Sequence, residues 1–300
     1  MGNVRFGTTR AGPSPFRFMF GKDMASDPAS TSQRWRRLAF RLALVAVALA
    51  ALAWRSWPDS HLHVIFLEAE GDAALIQTPA GRYVLIDGGG DPAALTAALG
   101  RRLPFWRRTL DAVVLTLPDA AHLPGQVAAL ARYRAGLALA PPTAQRSATF
   151  AEWQRLLAEG RSPLHTARAG DQLNLDGATL RVLAPGDGDE AGMVLRLDYG
   201  ATSVVFDHAG SEADEEAIAA GAPPLTTLLA FPWQRDPNRA FVRALRPRAI
   251  VFTDGQQADR PAELTMVERA VGGAALFHEQ LDGSIEWISD GARAQIVTGR

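Results

Sequence analysis

From residue 61 to residue 293, short apolar runs broken by glycine, proline and aspartate alternate with stretches in which apolar residues recur at helical spacing. The runs at 61–69, 73–79, 82–87 and 110–117 predict strands. A helix is predicted near 92–103, with Asp91 as its cap and Pro92 at its first position. Ala120 to Tyr133 carries helical spacing, followed by a short strand near Leu137–Ala140 and a helix over Thr149–Glu159. Residues 171–184 and 192–206 read as strands, the second run folding back at Tyr199-Gly200. Alternation continues through Glu212–Ala220, Thr226–Phe231, Arg239–Leu245, Ala249–Thr253 and Ala262–Val271. Strands mixed with helices in this way predict a layered α/β domain over residues 59–300, without internal repeats.

The pattern before residue 59 is different. Residues 1–33 are rich in Gly, Pro, Ser and Thr without apolar periodicity and read as disordered, with Met24 an alternative start. In 34–58, Arg34, Arg36, Arg37 and Arg41 precede an unbroken apolar run from Leu42 to Trp54. A helix from Leu38 to Trp54 would span on the order of 25 Å at ~1.5 Å per residue, against a hydrocarbon core of ~30 Å. Trp54 and Trp57 suit the interface. We therefore expect one N-terminal transmembrane helix, with residues 38–57 as the membrane contact and the folded domain outside the cytoplasm. Two other readings stay open: a signal peptide cleaved after Ala51-Leu52-Ala53, or a buried helix or part of a larger, lost membrane region. Arg36-Arg37 hints at twin-arginine export, but the residues after it fit that signal poorly.

Composition narrows the chemistry. The formal charge of -1 gives no overall attraction to nucleic acid or anionic lipid. With no cysteine, disulfides and thiolate metal sites are excluded. Arg101-Arg102-Leu103-Pro104-Phe105-Trp106-Arg107-Arg108 interleaves arginine with aromatics, as a single-strand nucleic-acid surface would, although the segment also fits a loop whose apolar residues pack under the sheet. The latter is the expectation.

The run Ala112-Val113-Val114-Leu115-Thr116-Leu117-Pro118-Asp119-Ala120-Ala121-His122-Leu123-Pro124-Gly125 has a strand, a polar turn and the start of a helix. It resembles the strand-to-helix corner of the metallo-β-lactamase superfamily, where a His-x-His/Asp-x-Asp-His motif binds one or two metal ions. Asp119 and His122 stand at two of those positions, while Leu117 and Ala121 occupy the other two and cannot ligate metal. The wider domain resembles the soluble part of ComEC-type competence proteins. His63 to Ile76 is similar to that family's opening strand pair, although one residue shorter in the turn. Tyr83 to Gly90 is similar to its third strand and glycine turn, and Asp282 to Gly291 to its terminal hairpin. The resemblance implies an αββα metallo-β-lactamase-like sandwich.

It also implies where further metal ligands would stand. Thr-Gly-Asp in the family meets Asp207-His208-Ala209 here, with Ala209 in the ligand place unless a one-residue slip presents Asp207 or His208. Pro-His-His-Gly-Ser meets Pro232-Trp233-Gln234-Arg235-Asp236, the late His-Pro-His segment falls near Asp259-Arg260-Pro261, and the Asn-rich stretch near Glu190-Ala191-Gly192. Asp119, His122 and His208 are therefore expected to be relict metal positions, with no catalytic residue and no cofactor. The favoured function is a membrane-tethered, inactive binding or structural module with an unidentified protein partner. The alternative is a zinc- or manganese-dependent phosphodiesterase-like hydrolase. Clustering of Asp119, His122, Asp207 and His208 around a polar cavity would favour the alternative; a floor of Leu117, Ala121 and Trp233 would favour the first. His61 and His63 share a strand face at ligand-compatible spacing but lie far from this loop. Asp87 is expected to orient its glycine turn, and His165 and His278 to be ordinary histidines.

Overall fold

Strand alternation sends successive side chains to opposite faces of a sheet, and in β1 (Leu62–Phe66) it divides the residues between two cores. Leu62, Val64 and Phe66 enter the core between the sheets, whereas Ile65 joins the layer beneath the helices. A computed structural model of the chain describes residues 35, 36, 38–45, 47, 59–144, 146–253 and 263–300. The chain divides into two units, Met1–Trp54 and Arg55–Arg300. In the first, Trp35, Arg36, residues 38–45 and residue 47 are helical and exposed. Among the described residues no helix is long and apolar enough to cross a membrane. The expected disordered segment 1–33 and most of the apolar run Leu42 to Trp54 lie outside them.

The second unit contains an eight-stranded sheet, β17-β16-β1-β2-β3-β5-β7-β8, and a seven-stranded sheet, β15-β14-β13-β12-β11-β10-β9. The first is built from β1, β2 (Ala73–Gln77), β3 (Tyr83–Asp87), β5 (Ala112–Val114), β7 (Ala138–Ala140), β8 (Leu164–Thr166), β16 (Ile285–Ser289) and β17 (Ala294–Thr298). The second is built from β9 (Gln172–Leu175), β10 (Ala178–Ala184), β11 (Val194–Tyr199), β12 (Thr202–Phe206), β13 (Leu228–Pro232), β14 (Ala249–Thr253) and β15 (Ala275–His278). A short pair, β4 (Thr109–Leu110) with β6 (Arg134–Ala135), stands apart. Leu62, Phe66, Val182, Leu195, Phe206 and Trp287 fill the space between the large sheets. Helices α1 (Pro92–Arg102), α2 (Pro124–Leu130) and α3 (Ala148–Gly160) cover the outer face of the first, through Leu95, Leu99, Ala129, Phe150, Trp153 and Leu157. The second is covered in part by α5 (Arg239–Leu245), through Phe241, Val242 and Leu245. The layers are helix, sheet, sheet, helix, as expected.

Several elements depart from the sequence reading. The helix expected from Ala120 begins at Pro124, because the Asp119 carboxylate captures the amides of Ala121 and His122 in a turn before it. Run 171–184 is a hairpin of β9 and β10 rather than one strand, closing at Asp176-Gly177 with both residues at positive φ. Strands β8 and β15 were not anticipated. In the Arg101–Arg108 loop only Leu103 packs inward; Phe105 and Trp106 are 59% and 49% exposed, contrary to the expected packing under the sheet. The start of α2 lies hard against the turn after β3: a Cβ on Gly125 would fall 1.7 Å from the Gly88 carbonyl oxygen, so a side chain there would force apart two elements that hold the candidate site.

Candidate functional site

The C-terminal ends of β3, β5 and β12 and the start of β2 meet at one end of the sandwich, where strand ends deliver Asp87, Thr116, His208 and Asp72. Asp87, fully buried, has φ 53° and does more than orient its glycine turn. Its Oδ1 accepts from the Thr116 amide at 2.7 Å and its Oδ2 from the Thr116 hydroxyl at 2.8 Å, joining β3 to the end of β5. His208 Nδ1 lies 2.8 Å from the same Oδ2 and donates to it, since a carboxylate has no proton to give.

His122 is held from both sides. Its Nδ1 is 2.5 Å from Asp119 Oδ1, the oxygen that also caps the turn. Its Nε2 lies 3.1 Å from Asp72 Oδ2, an ion-pair contact whose alignment is too oblique for a good hydrogen bond. Asp72, only 2% exposed, also accepts from the Thr253 hydroxyl on β14. Burial disfavours the imidazolium of His122, but the contacts with Asp119 and Asp72 outweigh it and hold its pKa well above the ordinary value. Burial likewise opposes charge on His208, and the Asp72 charge with the Asp87 bond reverses the balance, raising its pKa. For Asp72, burial is overcome by His208 and His122, and its pKa falls. The two rings lie 6.5 Å apart in near-parallel planes. The corner is thus a lattice of carboxylates and imidazolium groups that balance one another's charge.

Behind it stands a second cluster, which the sequence reading missed. Arg235 donates to Asp207 Oδ1 at 2.8 Å and to Glu215 Oε1 at 2.6 Å, and also to the Gly210 and Asp207 carbonyls. Its guanidinium carbon sits 4.4 Å from the Phe231 ring centroid. Glu215 comes from α4 (Glu212–Ala220) and is 2% exposed. Burial and the neighbouring Asp207 charge push its pKa up to about 8, with Arg235 opposing them. Trp233 packs away from the corner, against Phe252 and His278 and under Arg269, whose guanidinium carbon is 4.0 Å from its ring. His278 is fully buried and caps the helix α7 (Glu279–Asp282) by accepting from Gln280 N; burial lowers its pKa to about 4.

A cavity of about 540 Å³ opens over the corner. Asp72, Asp119, His122, His208 and Arg235 line it together with Leu117, Ala121 and Ala209. Of the expected relict positions, Asp119, His122 and His208 therefore come together; Asp207 lies beneath, bound to Arg235, and Trp233 does not form the floor. Both outcomes set out for this corner are met in part.

A zinc or manganese ion needs converging donors. Among the described residues no three His, Asp or Glu side chains are arranged to hold a metal ion. Both nitrogens of His122 face carboxylates, and three ligand places carry apolar side chains, so the residues present do not fit a metal centre. His61 and His63 do not form one either. His63 lies between Asp59, 2.9 Å from its Nε2, and Glu286, 2.7 Å from its Nδ1.

Asp72 had a sequence signal, the acidic residue after Gly71 in the turn between β1 and β2. Arg235 had one only through its place next to Trp233-Gln234, at the glycine of the Pro-His-His-Gly-Ser block that the segment resembles. Glu215 had none, since acidic residues in a first helical turn are commonplace.

No family model and no curated protein matches the chain. Solved structures do. The metallo-β-lactamase fold protein YhfI from Bacillus subtilis is 13% identical at a TM-score of 0.55, covering 76% of this chain and 100% of its own. Zn(2+)-bound PqqB from Methylobacterium extorquens is 12% identical at 0.50, covering 73% and 97%. A diphosphatase from the PhnP family is 15% identical at 0.46, covering 73% and 95%. At such identities a likeness carries the fold and no activity. Together with the two sheets, their helix layers and the strand-end corner, the likeness to YhfI and PqqB establishes that this chain has the metallo-β-lactamase fold.

Proposed function

We propose that the chain is a membrane-tethered, ComEC-like module whose strand-end corner is catalytically inactive and which serves as a binding or structural element for a protein partner. The observation that carries this reading is the pairing of the ionisable side chains left in the corner. His122 is engaged by Asp119 and Asp72, and His208 by Asp87. A metal on His122 would have to displace a proton and break the contact with Asp119 or Asp72, while gaining nothing from Leu117, Ala121 or Ala209. Arg235, in place of a ligand block, supplies a permanent positive charge to Asp207 and Glu215. The apolar run before residue 59 supports the tether.

Metal analysis and assay test the reading. The purified chain should carry far less than stoichiometric metal and, with added zinc or manganese, hydrolyse neither phosphodiesters nor β-lactams above background. One observation favours the alternative hydrolase: His208 Nε2 is buried at the cavity without a hydrogen-bond partner. Metal-dependent phosphodiester hydrolysis abolished by His122→Ala would establish that alternative instead.

A further inference from the structure

The Arg101–Arg108 segment carries aromatic side chains that the fold does not use. The Arg107 amide donates to the Pro104 carbonyl at 2.8 Å, closing a turn with Phe105 and Trp106 at its tip. Both are exposed, with ring centroids 4.7 Å apart and planes at 85°. Arg101 and Arg108 flank the turn in sequence and are exposed, as is Arg134, whose amide donates to the Arg108 carbonyl at 2.9 Å. The two nearby carboxylates are already paired, Glu286 with Arg102 and Asp111 with Arg107.

Position gives this patch its meaning. Along the sheet, His63 is opposite Gln77 and Gln77 opposite Tyr83, so these three residues mark one end of β1, β2 and β3. Arg107 lies over the Tyr83 ring, and a chain of contacts runs from Asp59 to His63 to Glu286 to Arg102, at the end of α1. Asp59 is where the segment carrying the apolar run joins the domain. The turn tip is therefore fixed to the end of the domain at which the chain enters. The cavity, lined by Asp72, lies at the opposite end of the same strands, where Ala73 faces Asp87.

We propose that the Phe105-Trp106 tip, with the exposed Arg101, Arg108 and Arg134, docks on the membrane interface, with the aromatic rings at the headgroup boundary and the arginines on anionic phospholipid. This rests on the tether reading and adds a second point of contact, which would hold the domain with its cavity facing away from the bilayer. Single-stranded nucleic acid fits the patch less well. The two rings meet edge to face, rather than presenting parallel platforms to successive bases.

The absence of cysteine makes a single introduced thiol the only labelling site. Full-length Trp106→Cys and, at the cavity mouth, Glu190→Cys are each labelled with an environment-sensitive nitrobenzoxadiazole and reconstituted into vesicles of phosphatidylcholine with or without roughly one-third phosphatidylserine. The label at 106 should blue-shift and brighten about two-fold or more in anionic vesicles, lose that gain at high salt or with Arg101→Glu and Arg108→Glu together, and stay unresponsive at 190. Flotation of the same samples reads the tether. Chain that floats with a water-exposed label at 106 overturns the docking and leaves the tether standing. Chain that fails to float with either lipid overturns both. A response at 106 to oligothymidylate without one to anionic lipid assigns the patch to nucleic acid and overturns the membrane proposal.

Discussion

Glu215→Gln is the sharpest probe of the charge arrangement behind the corner. In the folded chain the Glu215 carboxyl titrates at about 8 against an ordinary 4.5, because burial and Asp207 oppose its ionisation more than Arg235 favours it. A carboxyl whose folded pKa is raised binds its proton more tightly when folded. Its contribution to stability is fully present below about 4.5 and is lost as pH rises through about 8. Inside that window the native state holds a proton that the unfolded state has released, so stability falls by up to about 1.4 kcal/mol per pH unit. Between pH 5 and pH 7 this is on the order of 2 kcal/mol. Glutamine reproduces the neutral carboxyl in shape, still accepts from Arg235 and can still donate toward Asp207, but it does not titrate. The variant should match the wild type near pH 5 and exceed it increasingly toward pH 8. Urea unfolding of both chains in mild detergent, followed by tryptophan fluorescence across pH 5–9, reads the difference directly. Subtracting the two curves removes the other titrating groups, including His122 and His208, whose raised pKa values also make stability decline with rising pH. A difference between variant and wild type that stays constant with pH would refute the argument.

Arg235→Met keeps an apolar stem over Phe231 but removes the cation from Asp207 and Glu215. Breaking a buried pair costs about 3–5 kcal/mol, and the proton on Glu215 should reduce this to roughly 2–4 at pH 6 in urea unfolding; a loss under about 1 would show that the cluster is solvated. Gln126→Ala strands the Val114 carbonyl and the Trp153 indole N–H, which Gln126 now joins at 2.7 and 3.0 Å, and should cost about 1–3 kcal/mol by the same measurement. Leu117→His with Ala121→Asp adds an imidazole and a carboxylate beside Asp119 and His122; zinc affinity by calorimetry should rise at least about ten-fold, while turnover stays at background because Ala209 and Arg235 leave the other half of the site unmade.

Much of the fold was legible because alternation and helical spacing report burial, and burial is what the layers share. Strand β1 shows both cores in five residues, and Asp91-Pro92 marks the start of α1 because a capping carboxylate and a proline have local causes. Strand β8 was not legible: Leu164, His165 and Thr166 are all exposed at a sheet edge, so no apolar pattern marks them. The helix after Asp119 was placed too early because apolar spacing cannot register a carboxylate capturing backbone amides. At the site, Asp119 and His122 were found through their spacing in one loop. Asp72, Glu215, Arg235 and Thr253 come from four distant segments, and only the crossing of β2, β13 and β14 with their flanking loops and helix brings them near.

The same side chains account for how the strand ends at the corner are held together. In a metal-dependent site the ion neutralises converging carboxylates, and losing ligands one at a time leaves buried charge without compensation. Here compensation is present in each cluster. His122 answers Asp72 and Asp119, His208 answers Asp87, and Arg235 answers Asp207 while Glu215 holds a proton. These partners enter from separate strands, so they tie the ends of the two sheets together as a shared ion would. The His208–Asp87 contact joins the second sheet to the first, and Thr253 to Asp72 does so again. Charge balance made from side chains cannot activate a water as a metal does, but it keeps the strand ends in register and leaves a cavity with a fixed polar floor.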